Sequence, residues 1–304
     1  MNGGALVVGE ALIDEVVELG RVSRYTGGSP ANVALGLSRL NVATRLHSAI
    51  GDDEDGELIR KHLGESGVII TPDSLTNAPT SKAVATVADD GSATYEFALS
   101  WDPVNLGELG APKIIHAGSL GAFLEPGSDV TNDIVRRGGA AGALITFDPN
   151  VRPSLVRDSR KSHKLFEALA FSSHITKLSD EDAEFLFPEK SVNYVLDLLI
   201  DGGVTVAGIT RGSRGACLAS GANRITIPPV KTVVADTVGA GDSFMAALIW
   251  ALVFRTGGWN GQPISQQQLE DVGGKAALAA AVTVSRPGAD LPTLAEIITQ
   301  LAAV

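Results

Sequence analysis

An acidic residue stands in a glycine-rich turn directly before one of the most apolar stretches of the chain. The turn reads DTVGAGDSF and contains Asp242, and the stretch that overlaps its end, FMAALIWALVF at 244–254, carries no charge. A run of this kind is normally a buried element, and a carboxylate at its mouth has to be solvated, paired or used in chemistry. The pattern predicts an anion site at a helix start, formed by the backbone N–H groups of Gly239, Ala240 and Gly241.

A second glycine-rich turn follows the same logic. It reads GGSPANVALGLSRL and begins with Gly27 and Gly28, which let the backbone approach a ligand closely. Ser29 is the predicted N-cap of the helix that follows, and Pro30 is its predicted first residue. Asn32 lies in the first turn, so we expect its amide to point toward the same ligand space.

Three other kinds of site lack their motifs in this chain. A Walker A loop needs Gly-x-x-x-x-Gly-Lys before Ser or Thr, but the lysine of GGKAA is followed by Ala276. A dinucleotide fingerprint needs a third glycine where Phe244 stands, which argues against a nicotinamide-dependent oxidoreductase. The five histidines show no metal-ligand spacing. Phosphoryl transfer fits what remains, because it needs donors for a γ-phosphate beside a carboxylate that takes the proton of the acceptor hydroxyl.

The elements that must position these turns follow from the hydrophobic pattern. Short apolar runs alternate with helical patterns, which is typical of an α/β protein with a parallel sheet covered by helices. The predicted strands are 5–9, 45–50, 113–118, 143–147, 172–176 and 206–210. The predicted helices are 30–40, 54–66, 127–141, 159–170, 191–202, 241–256, 265–285 and 293–303.

Polar residues follow most of the predicted strands. In open α/β sheets ligands bind beyond the carboxyl ends of the strands, so these residues are site candidates. They are Glu10 and Asp14, then Gly51 to Asp53, DPNVR at 148–152, KLSDED at 177–182, and Thr210 with RGSRG at 211–215. Any single loop needs turn and capping residues, but their collective placement favours a site.

Two segments break the alternation. Residues 80–99 contain two β-rich stretches around Asp90-Gly91, which is a hairpin signal. Residues 11–26 lack a helix period and are predicted to be extended. Both are expected to form a small β appendage. Because no internal repeat or low-complexity linker divides the chain, we predict one domain over 1–304.

Composition excludes several classes of partner. The chain has 304 residues, of which 44% are hydrophobic, and a formal charge of −11 from 24 basic and 35 acidic residues. Nucleic acid and anionic membranes are therefore poor partners. Cys217 is the one cysteine, which fits a reducing compartment, and the acidic N-terminal stretch does not resemble a secretory signal. The cytoplasm is the expected location.

The two glycine-rich turns resemble the two signatures of the ribokinase-like carbohydrate kinase family, which includes fructokinase, ribokinase, ketodeoxygluconate kinase and adenosine kinase. GEALID, IGDDEDG, HAGSLGAFLEP, FDPNVRP, KLSDEDAEFL, TRGSRGA and RPGADLPT also resemble family blocks in family order. The resemblance covers almost the whole chain. It implies a doubly wound αβα sandwich with a mainly parallel central sheet and a β-sheet lid, formed here by about 11–26 and 80–99, which often pairs between subunits. A homodimer through the lid is therefore expected.

The resemblance also implies roles for individual residues. Asp242 would be the catalytic base, and Gly239, Ala240 and Gly241 would form the anion hole for the transferred phosphate. The remaining residues carried over are Asp14, Gly27, Gly28 and Asn32 for the sugar, and Thr210, Gly212 and Gly215 for ATP. Arg152 is a further hypothesis for the phosphate or acceptor side, because fructokinase-like members carry a string similar to DPNVR; a plain surface arginine is its alternative.

Three features concern ions and specificity. The family's Asn-x-x-Glu element, linked to Mg²⁺ and phosphate, is here Ser179-x-x-Asp182, which could act on Mg²⁺ through water. Many members bind a monovalent cation, and K⁺ at Asp236, Val238, Arg286 and Gly288 is a further hypothesis. Many fructokinases have an Arg-Asn pair after the second lid stretch, whereas this chain reads ALSWDPVN, so a different sugar pocket is expected.

The leading hypothesis is an ATP-dependent kinase acting on a primary hydroxyl of a small sugar. Fructose is the first candidate, because GEALID, SPANVA and KLSDED resemble fructokinases most. A ketodeoxygluconate kinase is the alternative, since Arg152 could serve a carboxylate equally well, and a nucleoside kinase comes next. From a different class, the chain could bind sugar or nucleotide without turnover; loss of the acid or of the glycine turn would have favoured that, and both are present.

Overall fold

The computed structural model describes residues 3–18, 21–87, 93–156, 159–255 and 258–302. Its strands are β1 (Ala5–Val8), β2 (Leu12–Glu18), β3 (Arg21–Gly27), β4 (Thr44–His47), β5 (Ile50–Gly51), β6 (Ile69–Ile70), β7 (Leu75–Thr76), β8 (Lys82–Val87), β9 (Ala93–Ala98), β10 (Ile114–Gly118), β11 (Leu144–Asp148), β12 (Ile175–Ser179), β13 (Val206–Thr210), β14 (Ala216–Ser220) and β15 (Asn223–Ile227). Its α-helices are α1 (Ser29–Arg39), α2 (Glu54–Glu65), α3 (Leu120–Phe123), α4 (Gly127–Ala140), α5 (Ser159–Ala170), α6 (Asp180–Leu186), α7 (Val192–Asp201), α8 (Ala240–Ile249), α9 (Gln266–Val284) and α10 (Leu294–Ala302).

A nine-stranded sheet forms the centre, in the order β15-β14-β13-β12-β11-β10-β1-β4-β6. Every neighbouring pair from β6 to β13 is parallel. The last two pairs, β13 with β14 and β14 with β15, are antiparallel. The predicted mainly parallel sheet is confirmed. The antiparallel edge was missed because β14 and β15 are five residues each and are joined by a tight turn, with no helix between them.

Side chains alternate between the two faces of this sheet, and each face is covered by helices. In β1, Val7 packs with α1, α8 and α9 in one core, while Leu6 and Val8 pack with α4, α5 and α7 in the other. Successive strand residues point to opposite faces, so a strand buried on both sides reads as a continuous apolar run. The predicted αβα sandwich is confirmed.

The apolar segment after Asp242 forms a fully buried helix. All residues of α8 from Asp242 to Ile249 are buried, and the helix continues as a π-helical turn over Trp250–Arg255. Gly36 of α1 lies against α8: a Cβ there would come 2.8 Å from the Cβ of Ala246. The absence of a side chain at Gly36 therefore lets α1 and α8 pack closely, which brings their N-termini together.

A separate four-stranded sheet has the order β3-β2-β8-β9 and is formed by the two segments that broke the helix–strand alternation. Strand β2 pairs antiparallel with β3 and parallel with β8. The predicted small β-sheet is confirmed. The predicted turn at Asp90-Gly91 lies outside the described residues, as do 19 and 20 within the first segment.

Carboxylates of α2 and its N-cap anchor this sheet to the rest of the molecule. Asp53 caps α2 by accepting from the Gly56 N–H at 2.8 Å and also accepts from the N–H and hydroxyl of Thr80 at 2.8 and 2.6 Å. Asp55 forms an ion pair with Lys82 at the start of β8. The sheet is thus held at its base and projects over the strand ends.

Some predicted boundaries were wrong. The segment 172–176 contains only the start of β12, which runs to Ser179, because Lys177 and Leu178 are buried inside the sheet. The segment 45–50 is divided between β4 and β5, which belong to different sheets. Helix α6 was missed because it begins directly at the end of β12 and is seven residues long.

Candidate active site

A cleft of about 870 Å³ lies at the carboxyl ends of the parallel strands, beneath the four-stranded sheet. Leu12, Asp14, Ala83 and Phe97 of that sheet line one end of it. The N-termini of α1 and α8 line its centre. This is the edge at which ligands bind in open α/β sheets, and it is where the sequence placed the candidate site.

Asp242 lies at the centre of the cleft, in the first turn of α8. Its carboxylate accepts hydrogen bonds from the Ser29 hydroxyl at 2.6 Å and from the Asn32 amide at 2.8 Å, one to each oxygen. The side chain is buried, with 7% exposed. Two residues of α1 therefore fix its orientation, while it still lines the cleft.

The predicted N-cap at Ser29 was wrong. Helix α1 begins at Ser29 itself, and its N-cap is Gly28, which has φ 99° and offers no side chain to cap the helix. The Ser29 hydroxyl instead donates to the Asp242 carboxylate, and a hydrogen bond to a charged acceptor is stronger than one between neutral groups. Gly28 is needed for packing as well, since a Cβ there would lie 2.5 Å from the Glu10 carbonyl oxygen.

The glycine turn before Asp242 has the geometry of an anion site. Gly239 is the N-cap of α8 with φ 76°, a left-handed conformation that favours glycine. Ala240 donates its N–H to the Thr237 carbonyl at 3.3 Å, which closes the turn. The Ala240 N–H is thus already used, whereas among the described residues the N–H groups of Gly241 and Asp242 have no backbone acceptor, so they are the donors that the start of α8 offers to an anion.

Lys177 and Asp148 form a buried ion pair beside this turn, with Nζ and Oδ2 2.6 Å apart. Burial alone would lower the pKa of Lys177, but the carboxylates of Asp148, Asp182 and Asp242 outweigh it and raise the pKa. Burial raises the pKa of Asp148 to about 7, against the lowering effect of Lys177. The sequence placed Lys177 and Asp148 among the polar residues that follow predicted strands, but it gave them no individual role and did not predict that they pair.

The end of the cleft under the four-stranded sheet carries opposed charges. Burial raises the pKa of Asp14 to about 6, while the nearby Arg152 guanidinium lowers it and Asp242 raises it further. Arg152 is exposed, lines the cleft and donates to the Asn150 side-chain oxygen at 2.6 Å. Gly27 makes room for the acid: a Cβ there would stand 2.1 Å from an Asp14 carboxylate oxygen.

Glu10 and Trp101 clamp the backbone of Gly121 beside this end. The Gly121 N–H donates to the Glu10 carboxylate at 2.9 Å, and the Trp101 indole donates to the Gly121 carbonyl at 3.2 Å. Burial raises the pKa of Glu10 to about 7, against the hydrogen bonds from Ser119 and Gly121. Glu10, one of the strand-end candidates, lines the cleft.

The other end of the cleft is long and has an apolar wall. Small side chains of α9 line it, together with the loop that follows β15. The wall residues are Ala277, Ala280, Ala281, Val284, Pro229, Val230 and Val234. Thr210, Gly212 and Gly215 line the same end, and Gly215 has φ 79° with no room for a side chain, since a Cβ would lie 2.1 Å from the Ile227 carbonyl oxygen.

Ser179 and Asp182 line the cleft but also cap α6. Asp182 accepts from the N–H and hydroxyl of Ser179 at 2.9 and 2.8 Å, and from the Val151 N–H at 2.7 Å. Both oxygens of this buried carboxylate therefore already accept hydrogen bonds from protein groups, so Asp182 would contact a metal ion through a water molecule. Among the described residues, no group of three or more His, Cys, Asp or Glu side chains is placed to hold a metal ion.

The residues suggested for K⁺ lie on two loops that Asp236 joins. Its carboxylate accepts from the N–H groups of Val238 at 3.0 Å and Gly288 at 2.8 Å. The side chain of Arg286 is directed to Asp290 and Glu296. Among these residues, Val238 lines the cleft.

Most of the predicted site residues are therefore assembled around one cleft. Those that line it are Asp14, Gly28, Asn32, Arg152, Ser179, Asp182, Thr210, Gly212, Gly215, Val238, Gly239, Ala240, Gly241 and Asp242. Gly27, Asp236, Arg286 and Gly288 do not line it, and Arg286 instead lines a second pocket with Asp290 and Glu296.

Comparison with known proteins identifies the family. The model of the pfkB family of carbohydrate kinases matches residues 6–296. The chain belongs to this family. The protein is accordingly an ATP-dependent carbohydrate kinase, whose substrates are ATP and a sugar. The fructokinase of Rhizobium leguminosarum bv. trifolii is similar to this pfkB-family kinase, with 30% identity over 259 residues that cover 81% of this chain and 79% of the relative.

Solved structures show the same fold. A fructokinase with bound ATP from Xylella fastidiosa has a TM-score of 0.83 at 24% identity, covering 98% of both chains. The fructokinase from Vibrio cholerae O395, a double mutant in a fructose, ADP and potassium ion bound form, has a TM-score of 0.82 at 21% identity, covering 98% of this chain and 97% of its own. The ribokinase-like fold is thereby confirmed. In the described part of this kinase, no helix is both long and apolar enough for a membrane span.

Proposed function

We propose that this kinase transfers the γ-phosphate of ATP to a primary hydroxyl of fructose, with Asp242 as the base. The single observation that carries the proposal is the placement of Asp242 between the α8 turn and the end of the cleft that Asp14 and Arg152 line. An anion at the helix start and a hydroxyl on the other side of the acid fit that arrangement. The 30% identity to the Rhizobium fructokinase supports fructose.

The charges at the sugar end favour a neutral substrate. Asp14, Glu10 and Asp242 lie there with Arg152, and Arg152 is close enough to lower the pKa of both Asp14 and Glu10. A sugar carboxylate would have to compete with these acids for one guanidinium. Polyol hydroxyls, in contrast, donate to carboxylates and accept from the guanidinium. This charge balance favours fructose over ketodeoxygluconate.

The chemistry follows from what the residues can do. The sugar oxygen forms a bond to the γ-phosphorus, its proton goes to Asp242, and the bond from that phosphorus to ADP breaks. The N–H groups at the start of α8 hold the phosphoryl oxygens, and their positions are set before the reaction begins. Ser29 and Asn32 keep the carboxylate aimed at the hydroxyl.

ATP is expected to lie along the apolar end of the cleft, with Thr210, Gly212 and Gly215 beside it and the α9 wall against its base. Mg²⁺ would neutralise the phosphates and be reached from Asp182 through water, since both Asp182 oxygens already accept hydrogen bonds. K⁺ at the two loops joined by Asp236 would be coordinated mainly by backbone carbonyl oxygens. The potassium ion in the Vibrio structure supports testing it.

We further propose one kinase domain over 1–304, with the four-stranded sheet as its lid, and a homodimer formed through that lid. Val22 of β3 is 55% exposed and lies on the face of the sheet opposite to Asp14, so that face offers apolar surface to a second copy. Light scattering of the parent and of Val22→Lys measures the state directly; an unchanged mass for both at monomer size contradicts the dimer.

An ADP-release assay over ketoses, aldoses, sugar acids and nucleosides, with and without Mg²⁺ and K⁺, tests the substrate. Fructose is expected to give the highest kcat/KM, and omission of Mg²⁺ to abolish turnover. A faster sugar acid would contradict the charge argument. Arg152→Gln separates the two substrate classes, since it should weaken a sugar acid by about tenfold or more and fructose by less.

A further inference from the structure

The buried pair of Lys177 and Asp148 lies where two neighbouring parallel strands end. The register pairs Thr146 of β11 with Ile175 of β12, so residues two positions further on lie side by side. The side chain of Lys177 is 4% exposed and that of Asp148 is 1% exposed, and Lys177 Nζ lies 2.6 Å from Asp148 Oδ2. Two charges taken out of water in this way cost stability unless their mutual attraction and further hydrogen bonds offset the desolvation.

The ammonium lies against the glycine turn of the site. A Cβ on Gly241 would stand 3.1 Å from Lys177 Nζ, so this glycine leaves the ammonium in direct contact with the turn. Lys177 lines the cleft, whereas Asp148 lies behind it. The pair therefore presents its positive end to the place where the phosphoryl group would be held.

Neighbouring charges keep this lysine ionised. Asp148, Asp182 and Asp242 all act on it electrostatically. An ammonium carries three N–H donors, so beside its ion pair with Asp148 it can still reach an oxygen bound at the start of α8. An anion that arrives beside Asp242 meets carboxylates on several sides, and the Lys177 charge offsets their repulsion.

We propose that Lys177 is a catalytic residue that binds the transferring phosphoryl group, and that Asp148 is the residue that positions its ammonium. The inference rests on phosphoryl transfer in this cleft and not on the identity of the sugar. While the bond from phosphorus to ADP breaks and the bond from the sugar oxygen forms, Lys177 keeps its proton and stabilises charge on the phosphoryl oxygens; the hydroxyl proton goes to Asp242.

Lys177→Met tests the role, because methionine has a similar length and no charge. We expect kcat to fall about 100-fold with the fastest sugar of the panel, while the KM for that sugar changes less than about threefold. Lys275→Met is the matched control: Lys275 is also buried and pairs with Asp271, but it lies on α9 away from the cleft. It should lower stability and leave kcat within about twofold.

The double variant Asp148→Asn/Lys177→Met separates catalysis from folding, because it leaves no unpaired buried charge. We expect it to unfold in urea near the parent midpoint yet keep the low kcat of Lys177→Met. Recovery of kcat to within about fivefold of the parent would overturn the proposal, as would a Lys177→Met variant with parental kcat. Lys177→Arg is expected to restore part of kcat, since it returns the charge.

Nucleotide binding distinguishes this inference from the proposed function. Titration calorimetry with AMP-PNP and ADP needs no sugar, so its result stands even if no sugar in the panel is phosphorylated. In Lys177→Met the affinity for AMP-PNP should fall about tenfold or more while the affinity for ADP changes less than about threefold. Equal losses for both nucleotides, or none for either, would refute contact with the γ-phosphate.

Discussion

Glu10 makes the stability of this kinase depend on pH in a way that one substitution should remove. The side chain is 4% exposed, and burial raises its pKa from the ordinary 4.5 to about 7. The folded state therefore holds the proton more tightly than the unfolded chain does. The stabilisation from this group is complete below pH 4.5, declines as the pH rises, and is lost above about 7. At 1.36 kcal/mol per pH unit the loss is about 3 kcal/mol.

Glu10→Gln keeps an oxygen for the Gly121 N–H and is neutral at every pH. The variant should therefore gain stability relative to the parent, from less than about 1 kcal/mol at pH 5 to about 3 kcal/mol at pH 8. Urea unfolding at four pH values, followed by tryptophan fluorescence, measures the difference. Glu108→Gln makes the same substitution at an exposed position and is the matched control. A flat difference for Glu10→Gln would refute the burial argument.

Three further predictions concern activity. Asp242→Asn should lower kcat about 1000-fold, because it removes the proton acceptor. The affinity for ATP, measured by calorimetry, should stay within about threefold of the parent, because no contact with the nucleotide is lost. Near-parental turnover would exclude Asp242 as the base. Gly241→Ala should lower kcat about tenfold or more, because the added Cβ would lie 3.1 Å from Lys177 Nζ and would displace it. Gly274→Ala is the control, since a Cβ there meets nothing within 4 Å, and it should keep parental activity. Because the pKa of Asp14 is about 6, this acceptor becomes protonated below pH 6, and the KM for the sugar should then rise toward tenfold per pH unit. A KM that stays constant from pH 7 to 5 would show that Asp14 does not bind the sugar as a carboxylate.

Much of the architecture was predictable because the strands and helices leave local patterns of apolar and polar residues in the sequence. The apolar runs of β1 and β13 and the helix pattern of α9 lie close to their predicted bounds, since burial on both faces of a sheet and on one face of a helix leaves a periodic signal. The course of β12 was not predictable in this way. It continues through Lys177 because a buried partner neutralises that charge, and nothing in the segment itself indicates a partner.

The candidate site also has one part that was predictable from the sequence and another that was not. The sequence by itself determined the turn around Asp242, because the glycine turn, the helix start and the acid are neighbours in the chain. Only the tertiary structure decided what holds that acid. Ser29 and Asn32 meet Asp242 across separations of 213 and 210 residues, since Gly36 lets α1 pack closely on α8.

The strand register likewise placed Lys177 against Gly241 and next to Asp148. Contacts of this kind depend on how elements pack and pair, which composition, spacing and periodicity do not encode. The chain therefore shows in its sequence the acid of the glycine turn, and only in its fold which residues orient that acid and which cation lies beside the turn.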